Sequence, residues 1–127
     1  MAYVESETVE LKEIVVDDIK KEIIAFANSG GGCIYVGVDK NGTVVGISDS
    51  DDELLKITNM VRDSIKPDIT MFLSYQIIEE KGKNIIEIRV QRGARRPYYL
   101  SKKGLRPEGV YVRQGTSSVR SEERRVG

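Results

Sequence analysis

The chain of 127 residues contains no histidine and no tryptophan, and it has a single cysteine, Cys33. One thiol excludes a disulfide within the chain, and without histidine a zinc site of the usual Cys/His type is close to excluded. A histidine general base is excluded as well. Any catalysis would therefore depend on carboxylates, lysine, tyrosine, serine or a hard metal ion held by carboxylates.

Long apolar runs are also missing. No segment approaches the roughly 20 apolar residues that a bilayer span requires, and residues 1–5 do not resemble the start of a signal peptide. Hydrophobic residues make up 39% of the chain and charged residues 31%, as in soluble globular proteins. We expect a cytoplasmic protein without membrane contact. The length fits one domain over residues 1–120, with a polar tail over 121–127 that leads into a further C-terminal region.

The formal net charge of zero conceals a division along the chain. Residues 1–80 hold 7 Lys/Arg against 16 Asp/Glu, a charge of −9, whereas residues 81–127 hold 13 against 4, a charge of +9. Such asymmetry indicates contact with nucleic acid. The alternative is that the two segments pack together and neutralise each other.

The segment 25–39 is the most constrained part of the sequence. A helix expected over 17–28 ends at three glycines, and an apolar strand follows over 33–39. Phosphate cradles place glycines before a helix, where free N–H groups meet the anion. Here the glycines follow the helix, so a tight turn is the better interpretation.

The other patterns alternate between hairpins and helices. In a first strand over 8–12, Val9 and Leu11 face the core and Glu10 faces away. An Asn-Gly dipeptide predicts a type I′ hairpin that joins 33–39 to 44–47. The remaining elements are a helix that ends before Pro67, a hairpin of 69–79 with 84–91, and a strand over 110–113. Because hairpins are antiparallel, we expect an α+β fold in which two helices pack on a mixed, mainly antiparallel sheet.

Carboxylates supply one candidate site. Glu10 and Asp39 lie on the outer faces of their strands and converge if those strands are neighbours. Glu5 joins them only if the segment before the strand curls back, because its odd separation from Glu10 puts it on the opposite face. Such a group would suit Mg²⁺ or Mn²⁺ in phosphodiester cleavage. The alternative is a set of solvated charges.

Basic residues in the second half supply another candidate site. Lysine and arginine neutralise phosphates, and the interleaved Tyr98, Tyr99 and Tyr111 could stack on bases. The alternative is a solubilising surface whose tyrosines fill the core. The candidate nucleic-acid contacts are Arg92, Arg95, Arg96, Lys102, Lys103, Arg106 and Arg113, with the basic loop 102–106 at their centre.

Three segments together resemble the Schlafen AlbA-type domain. They are Glu5-Ser6-Glu7-Thr8-Val9-Glu10-Leu11-Lys12, Ile23 to Gly32 running into Ile34 to Asp39, and Gly109 to Ser118. The resemblance spans nearly the whole chain, and the middle segment is the most specific. It implies a Schlafen/Alba-like fold and a DNA-binding role. In prokaryotes such domains commonly begin longer proteins classed as transcriptional regulators or ATP-binding, helicase-related proteins.

The animal branch of this family implies a different activity. It includes endoribonucleases that act on transfer RNA through three acidic residues, two of which match Glu5 and Glu10. The third lies just after a Gly-Val pair, where that branch often has two consecutive acids. This chain has Asp39 followed by Lys40, so it lacks the second acid. It also cannot reproduce that branch's zinc site.

These observations lead to three hypotheses. The first is a nucleic-acid-binding domain of a transcriptional regulator, without a cofactor and with DNA preferred to RNA. The second is a ribonuclease that uses Glu5, Glu10 and Asp39 with Mg²⁺ or Mn²⁺. The third is an interaction module in which the strand over 85–90 pairs with a second copy to form a homodimer.

Overall fold

The structure, a computed structural model, describes residues 3–104 and 106–123. Two helices, eight strands and three short 3-10 helices form within these residues. In order they are β1 (Val9–Lys12), α1 (Ile19–Asn28), β2 (Gly32–Val36), α2 (Ser50–Ser64), β3 (Ile65–Lys66), a 3-10 helix (Thr70–Phe72), β4 (Leu73–Glu80), β5 (Lys83–Val90), β6 (Tyr99–Leu100), a 3-10 helix (Pro107–Gly109), β7 (Tyr111–Gln114), β8 (Ser117–Arg120) and a 3-10 helix (Ser121–Glu123). In these described ranges, no helix has the length and apolarity needed to cross a bilayer.

The main sheet has four strands in the order β1-β2-β5-β4. β1 runs parallel to β2, and the other two pairings are antiparallel. Two smaller antiparallel pairs, β3 with β6 and β7 with β8, complete the strands. This arrangement confirms the predicted α+β fold. Because β5 is paired on both sides, the strand over 85–90 has no free edge for a second copy.

Both faces of the main sheet are covered. On the helix-covered face, Ile34, Val36, Ile86 and Ile88 pack with Phe26 of α1 in the larger core. On the opposite face a smaller cluster is built from Tyr3, Leu11, Val38, Val44 and Ile85. A residue that points away from the larger core is therefore not necessarily in water.

The predicted hairpin between 33–39 and 44–47 forms as an irregular pairing and not as two regular strands, with a bridge between Val38 and Val44 and backbone hydrogen bonds from Asp39 to Thr43 and from Val45 to Gly37. β2 ends at Val36 because Gly37 adopts a φ of +104°, which turns the chain out of the strand. The antiparallel partner of β2 is β5 instead.

The turn at 41–42 also differs from the prediction. A type I′ turn needs a positive φ at both central residues, and Gly42 has one (+84°) whereas Asn41 does not. The Asp39 carboxylate accepts the backbone N–H groups of Asn41 and Thr43 and holds the turn in another form. Both positive values occur at Lys81 and Gly82, in the β4–β5 hairpin.

The polar end of the chain contains a strand that the sequence pattern did not reveal. β8 pairs with β7 residue by residue, with Val112 opposite Val119. Of the predicted tail, residues 121–123 form a 3-10 helix, and 124–127 lie outside the described residues, as does Leu105 of the basic loop. Ile65, expected in the second helix, begins β3 opposite Leu100.

The glycine run offers a matched test of the turn that joins α1 to β2. A Cβ at Gly32 would lie 2.5 Å from Cε1 of Phe26 and 2.7 Å from the Thr8 oxygen, whereas a Cβ at Gly30 meets nothing within 4 Å. We expect Gly32→Ala to lower the free energy of unfolding by about 1–3 kcal/mol through overpacking. Gly30→Ala should change it by less than about 0.5 kcal/mol. Urea unfolding followed by circular dichroism measures both, and equal midpoints would contradict this account.

Candidate functional site

Glu10 lies on the helix-covered face of the sheet. It sits beside Ile34 in the parallel pairing of β1 with β2 and is only 4% exposed. The expectation that Glu10 faces solvent is wrong, because Leu11 and its neighbours pack on the smaller cluster of the opposite face. Glu22 of α1 is also buried. Two buried carboxylates at one site require cations.

Arg113 of β7 supplies the main cation. Its side chain is 1% exposed, with Nη1 2.9 Å from Glu10 Oε1 and 3.6 Å from Glu22 Oε1. Nη2 donates to the carbonyl oxygens of Ser6 and Val9 at 2.9 and 3.2 Å. The guanidinium thus joins the last hairpin to the first strand and to α1.

The position of Arg113 corrects its place among the predicted nucleic-acid contacts. A side chain that is buried against Glu10 and Glu22 cannot also meet a phosphate at the surface. It covers the Phe26 ring as well, at 4.7 Å from the ring centroid. Arg113 is buried here because two buried carboxylates without a cation would cost much free energy.

Glu5 curls back from the segment before β1, as a joint carboxylate site requires. Its Oε2 accepts the N–H of Leu11 at 3.2 Å. The Lys40 ammonium lies 2.5 Å from Glu5 Oε2 and 3.1 Å from Glu10 Oε2, and it also donates to the Leu11 oxygen. Glu5 and Glu10 therefore converge, with Lys40 shared between them.

Asp39 does not join this pair. Its carboxylate is occupied by the backbone of the 41–43 turn, whereas the next residue, Lys40, reaches the acids. Lys12 pairs with Glu22 at 2.8 Å on the other side. In residues 3–104 and 106–123 no group of three or more acidic, histidine or cysteine side chains is arranged to hold a metal ion.

The pKa values of Glu5 and Glu10 shift in opposite directions, although both carboxylates contact Lys40. Burial tends to raise the pKa of Glu5, but hydrogen bonds from Lys40, Glu10 and the Leu11 backbone outweigh it and lower that pKa. Burial, contact with Glu5 and repulsion by Glu22 raise the pKa of Glu10, and Arg113 and Lys40 offset only part of this. The two carboxylates raise the pKa of Lys40 despite its desolvation, so the ammonium stays charged.

The remaining predicted basic residues lie at the surface. Their side chains form no ion pair with the acids of the described ranges, whereas Lys20, Lys21 and Lys56 in the first half pair with acids one helical turn away. Their charge is therefore not held in close ion pairs, although Arg95 acts at longer range on Asp68 and helps to lower the pKa of that carboxyl. These exposed residues, called here the unpaired cations, are Arg92, Arg95, Arg96, Lys102, Lys103 and Arg106.

Four of the unpaired cations line two grooves. Lys102 and Lys103 share a groove with Lys20 and Lys21, beside the end of α2. Arg96 and Arg106 lie in a second groove of about 510 Å³. We call it the Arg96–Arg106 groove, and its other lining residues are Asn28, Pro97, Val110, Val112 and Ser121.

The tyrosines divide between core and surface. Tyr98 is fully buried, and its hydroxyl accepts the N–H of Arg95, so it cannot stack on a base. Tyr99 and Tyr111 are half-buried, and the Lys21 ammonium lies 5.8 Å from the centroid of the Tyr111 ring.

Sequence reasoning did not single out Asn28, although it lies in the motif that carries the resemblance. Its Nδ2 donates to the carbonyl oxygens of Tyr98 and Tyr111 at 3.0 and 2.9 Å, and its Oδ1 accepts the Tyr98 N–H at 2.7 Å. One amide at the end of α1 thus holds both β6 and β7. Such a contact has no periodic signature and is visible only in three dimensions.

These features define a small α+β domain whose chain ends are joined by a buried ion-pair cluster and whose surface carries unpaired cations. The sequence model of the family described as Schlafen, AlbA_2 matches residues 5–122. The chain therefore belongs to this family, as the three segments indicated. No curated protein matches the chain.

The solved structures with a similar fold include the following two. The DIP2311 protein of Corynebacterium diphtheriae superposes with a TM-score of 0.66 over 90% of this chain at 19% identity, and the match spans only 22% of that longer chain. The second is the N-terminal domain of a Nitrosomonas europaea protein related to the ATP-dependent DNA helicase RecG. It gives a TM-score of 0.63 at 25% identity, over 89% of this chain and 80% of that domain.

The buried cluster can be tested through stability. Arg113→Ala leaves Glu10 and Glu22 without their guanidinium, and breaking a buried pair from one side costs about 3–5 kcal/mol. We expect a loss of that size in urea unfolding. Arg106→Ala removes the same charge from the surface and should change stability by less than about 0.5 kcal/mol. Equal effects of the two substitutions would contradict the role assigned to Arg113.

Proposed function

We propose that this chain is a cytoplasmic nucleic-acid-binding domain of a transcriptional regulator, with DNA preferred to RNA. The observation that carries the proposal is the set of six unpaired cations. The family supports it, and so does the similarity to a domain of a helicase-related protein. Because the chain spans 22% of DIP2311, the role of any longer protein is part of the proposal.

The distribution of charge within the domain supports nucleic-acid binding over simple neutralisation of one half by the other. Arg113 is neutralised by acids of the first half, as expected if the two halves only cancel each other. The unpaired cations form no close ion pair with an acid of the described ranges, and Arg95 alone acts on one at longer range, Asp68. Exposed cations of this kind bind phosphates and release counterions, which makes affinity depend steeply on salt.

The salt dependence of the affinity for nucleic acid tests the proposed function. Labelled 20-base-pair DNA and RNA duplexes are titrated at several salt concentrations and followed by fluorescence anisotropy. We expect binding at low salt, tighter for DNA, with log Kobs falling linearly against log salt. Lys102→Ala with Lys103→Ala should make the slope shallower by about 1–2, since each lost phosphate contact contributes about 0.9.

The matched control removes two positive charges elsewhere. Lys56 and Arg62 lie exposed on α2, where each pairs with an acid. Lys56→Ala with Arg62→Ala should therefore leave the slope nearly unchanged. Absence of binding to duplex DNA, duplex RNA and single-stranded DNA at low salt would refute the proposed function for this domain.

A metal-dependent ribonuclease is the second candidate. It is favoured by the convergence of Glu5 and Glu10 at an open polar pocket that Ser117 and Ser118 also line. It is opposed by the engagement of Asp39 in a turn and by the Lys40 ammonium between the two acids. Bound Mg²⁺ or Mn²⁺ would activate water there, and Glu5 and Glu10 are the residues that would hold it.

Transfer-RNA cleavage distinguishes the two candidates. We expect no cleavage above the buffer control when the parent protein is incubated with transfer RNA and Mn²⁺. Glu10→Ala and the more exposed Glu5→Gln serve as comparisons, because neither should alter a background that comes from contamination. Cleavage by the parent that both substitutions abolish would overturn this expectation and establish the ribonuclease.

A homodimer is a subsidiary proposal. If it forms by strand pairing on the main sheet, it would use the outer edge of β4 or β1, since β5 is paired on both sides. Sedimentation velocity of the purified domain decides between monomer and dimer.

A further inference from the structure

We propose that the Arg96–Arg106 groove receives one unpaired nucleotide, so that the domain binds single-stranded nucleic acid more tightly than duplex. This inference rests on the proposed function and specifies its ligand. A nucleotide combines a flat, largely apolar base with an anionic phosphate. The groove offers a matching pair of surfaces.

The wall of the groove is apolar where a base would lie. Val110, Val112 and Pro97 line it together with the two arginines, and its volume of about 510 Å³ falls in the usual range for small-ligand sites. Val110 is half-buried and Val112 is nearly covered, so both belong to a fixed part of the fold. Aliphatic walls and guanidinium planes both accept the face of a base without selecting its edge.

Arg96 is held in position before any ligand arrives. Its Nε donates to the Gly93 oxygen at 2.8 Å, and the Gly93 N–H in turn donates to the Ala27 oxygen at the end of α1. The terminal amino groups of Arg96 are left for a phosphate, which guanidinium binds in a bidentate manner. Arg106 lines the same groove, and it forms no ion pair with the acids of the described ranges.

Asn28 explains why the groove should tolerate different bases. Both of its amide hydrogens are used by the Tyr98 and Tyr111 carbonyls, so the side chain has no donor left for a base edge. Recognition then depends on the apolar wall and the two charges, with the Ser121 hydroxyl as the other polar group of the lining. A base in a duplex must first be unpaired and unstacked to enter, which costs free energy that an unpaired base does not pay.

Three labelled ligands test this inference by fluorescence anisotropy. They are a 12-nucleotide oligothymidylate, its duplex with oligoadenylate, and a 12-unit strand with the same phosphates but abasic sugars. We expect oligothymidylate to bind about tenfold more tightly than the duplex or the abasic strand, within the range that one stacked base contributes. The abasic strand separates base insertion from phosphate attraction.

Substitutions test which residues cause the preference for oligothymidylate. Arg96→Ala with Arg106→Ala should remove the preference for oligothymidylate, whereas Lys102→Ala with Lys103→Ala should weaken all three ligands equally and keep the preference. All four side chains are exposed, and circular dichroism checks that each variant is folded. Equal affinity of the parent for oligothymidylate and duplex, or for oligothymidylate and abasic strand, would overturn the inference and leave nucleic-acid binding intact. Failure to bind all three would overturn the proposed function as well.

Discussion

The buried guanidinium of Arg113 is the contact on which the arrangement of this domain depends. It lies between the carboxylates of Glu10 and Glu22 and also donates to the backbone before β1. A charge in this position is stable only if its partners are present and its hydrogen bonds are made. The strand at the start of the chain, the first helix and the last hairpin therefore form one unit. The family match over residues 5–122 spans the same three parts.

That contact also changes the meaning of the charge division between the two halves. One arginine of the basic half pairs with the buried acids, and Lys40 and Lys12 from the acidic half complete the cluster. The interior is balanced without the unpaired cations. Their excess is thus a property of the surface, where solvent lowers the cost of unpaired charge and where a polyanion can reach it.

Local patterns predicted most of the elements but not the environment of each face. The helices follow from the spacing of their apolar residues. The β4–β5 hairpin follows from two apolar runs joined by a turn in which Lys81 and Gly82 adopt positive φ values. Alternation in β1 correctly separated Val9 and Leu11 from Glu10, yet both faces of this sheet are covered, so the acid lies inside. The turn at 41–42 was misassigned because the Asp39 side chain replaces the expected backbone geometry.

The candidate sites show the same limit of local sequence patterns. The sequence showed that Glu5 can reach Glu10 only if the segment before β1 curls back, and the structure has that arrangement. The sequence did not show that Asp39 is excluded, because its exclusion depends on the geometry of the turn that follows it. Lys40 replaces a possible acid by a cation, and its ammonium already satisfies the two carboxylates that a divalent ion would need. A cluster that is neutralised from within stabilises the fold more readily than it catalyses a reaction. The proposed function rests on this division, in which the acid cluster joins β1, α1 and β7 and the unpaired cations are the residues proposed to contact nucleic acid.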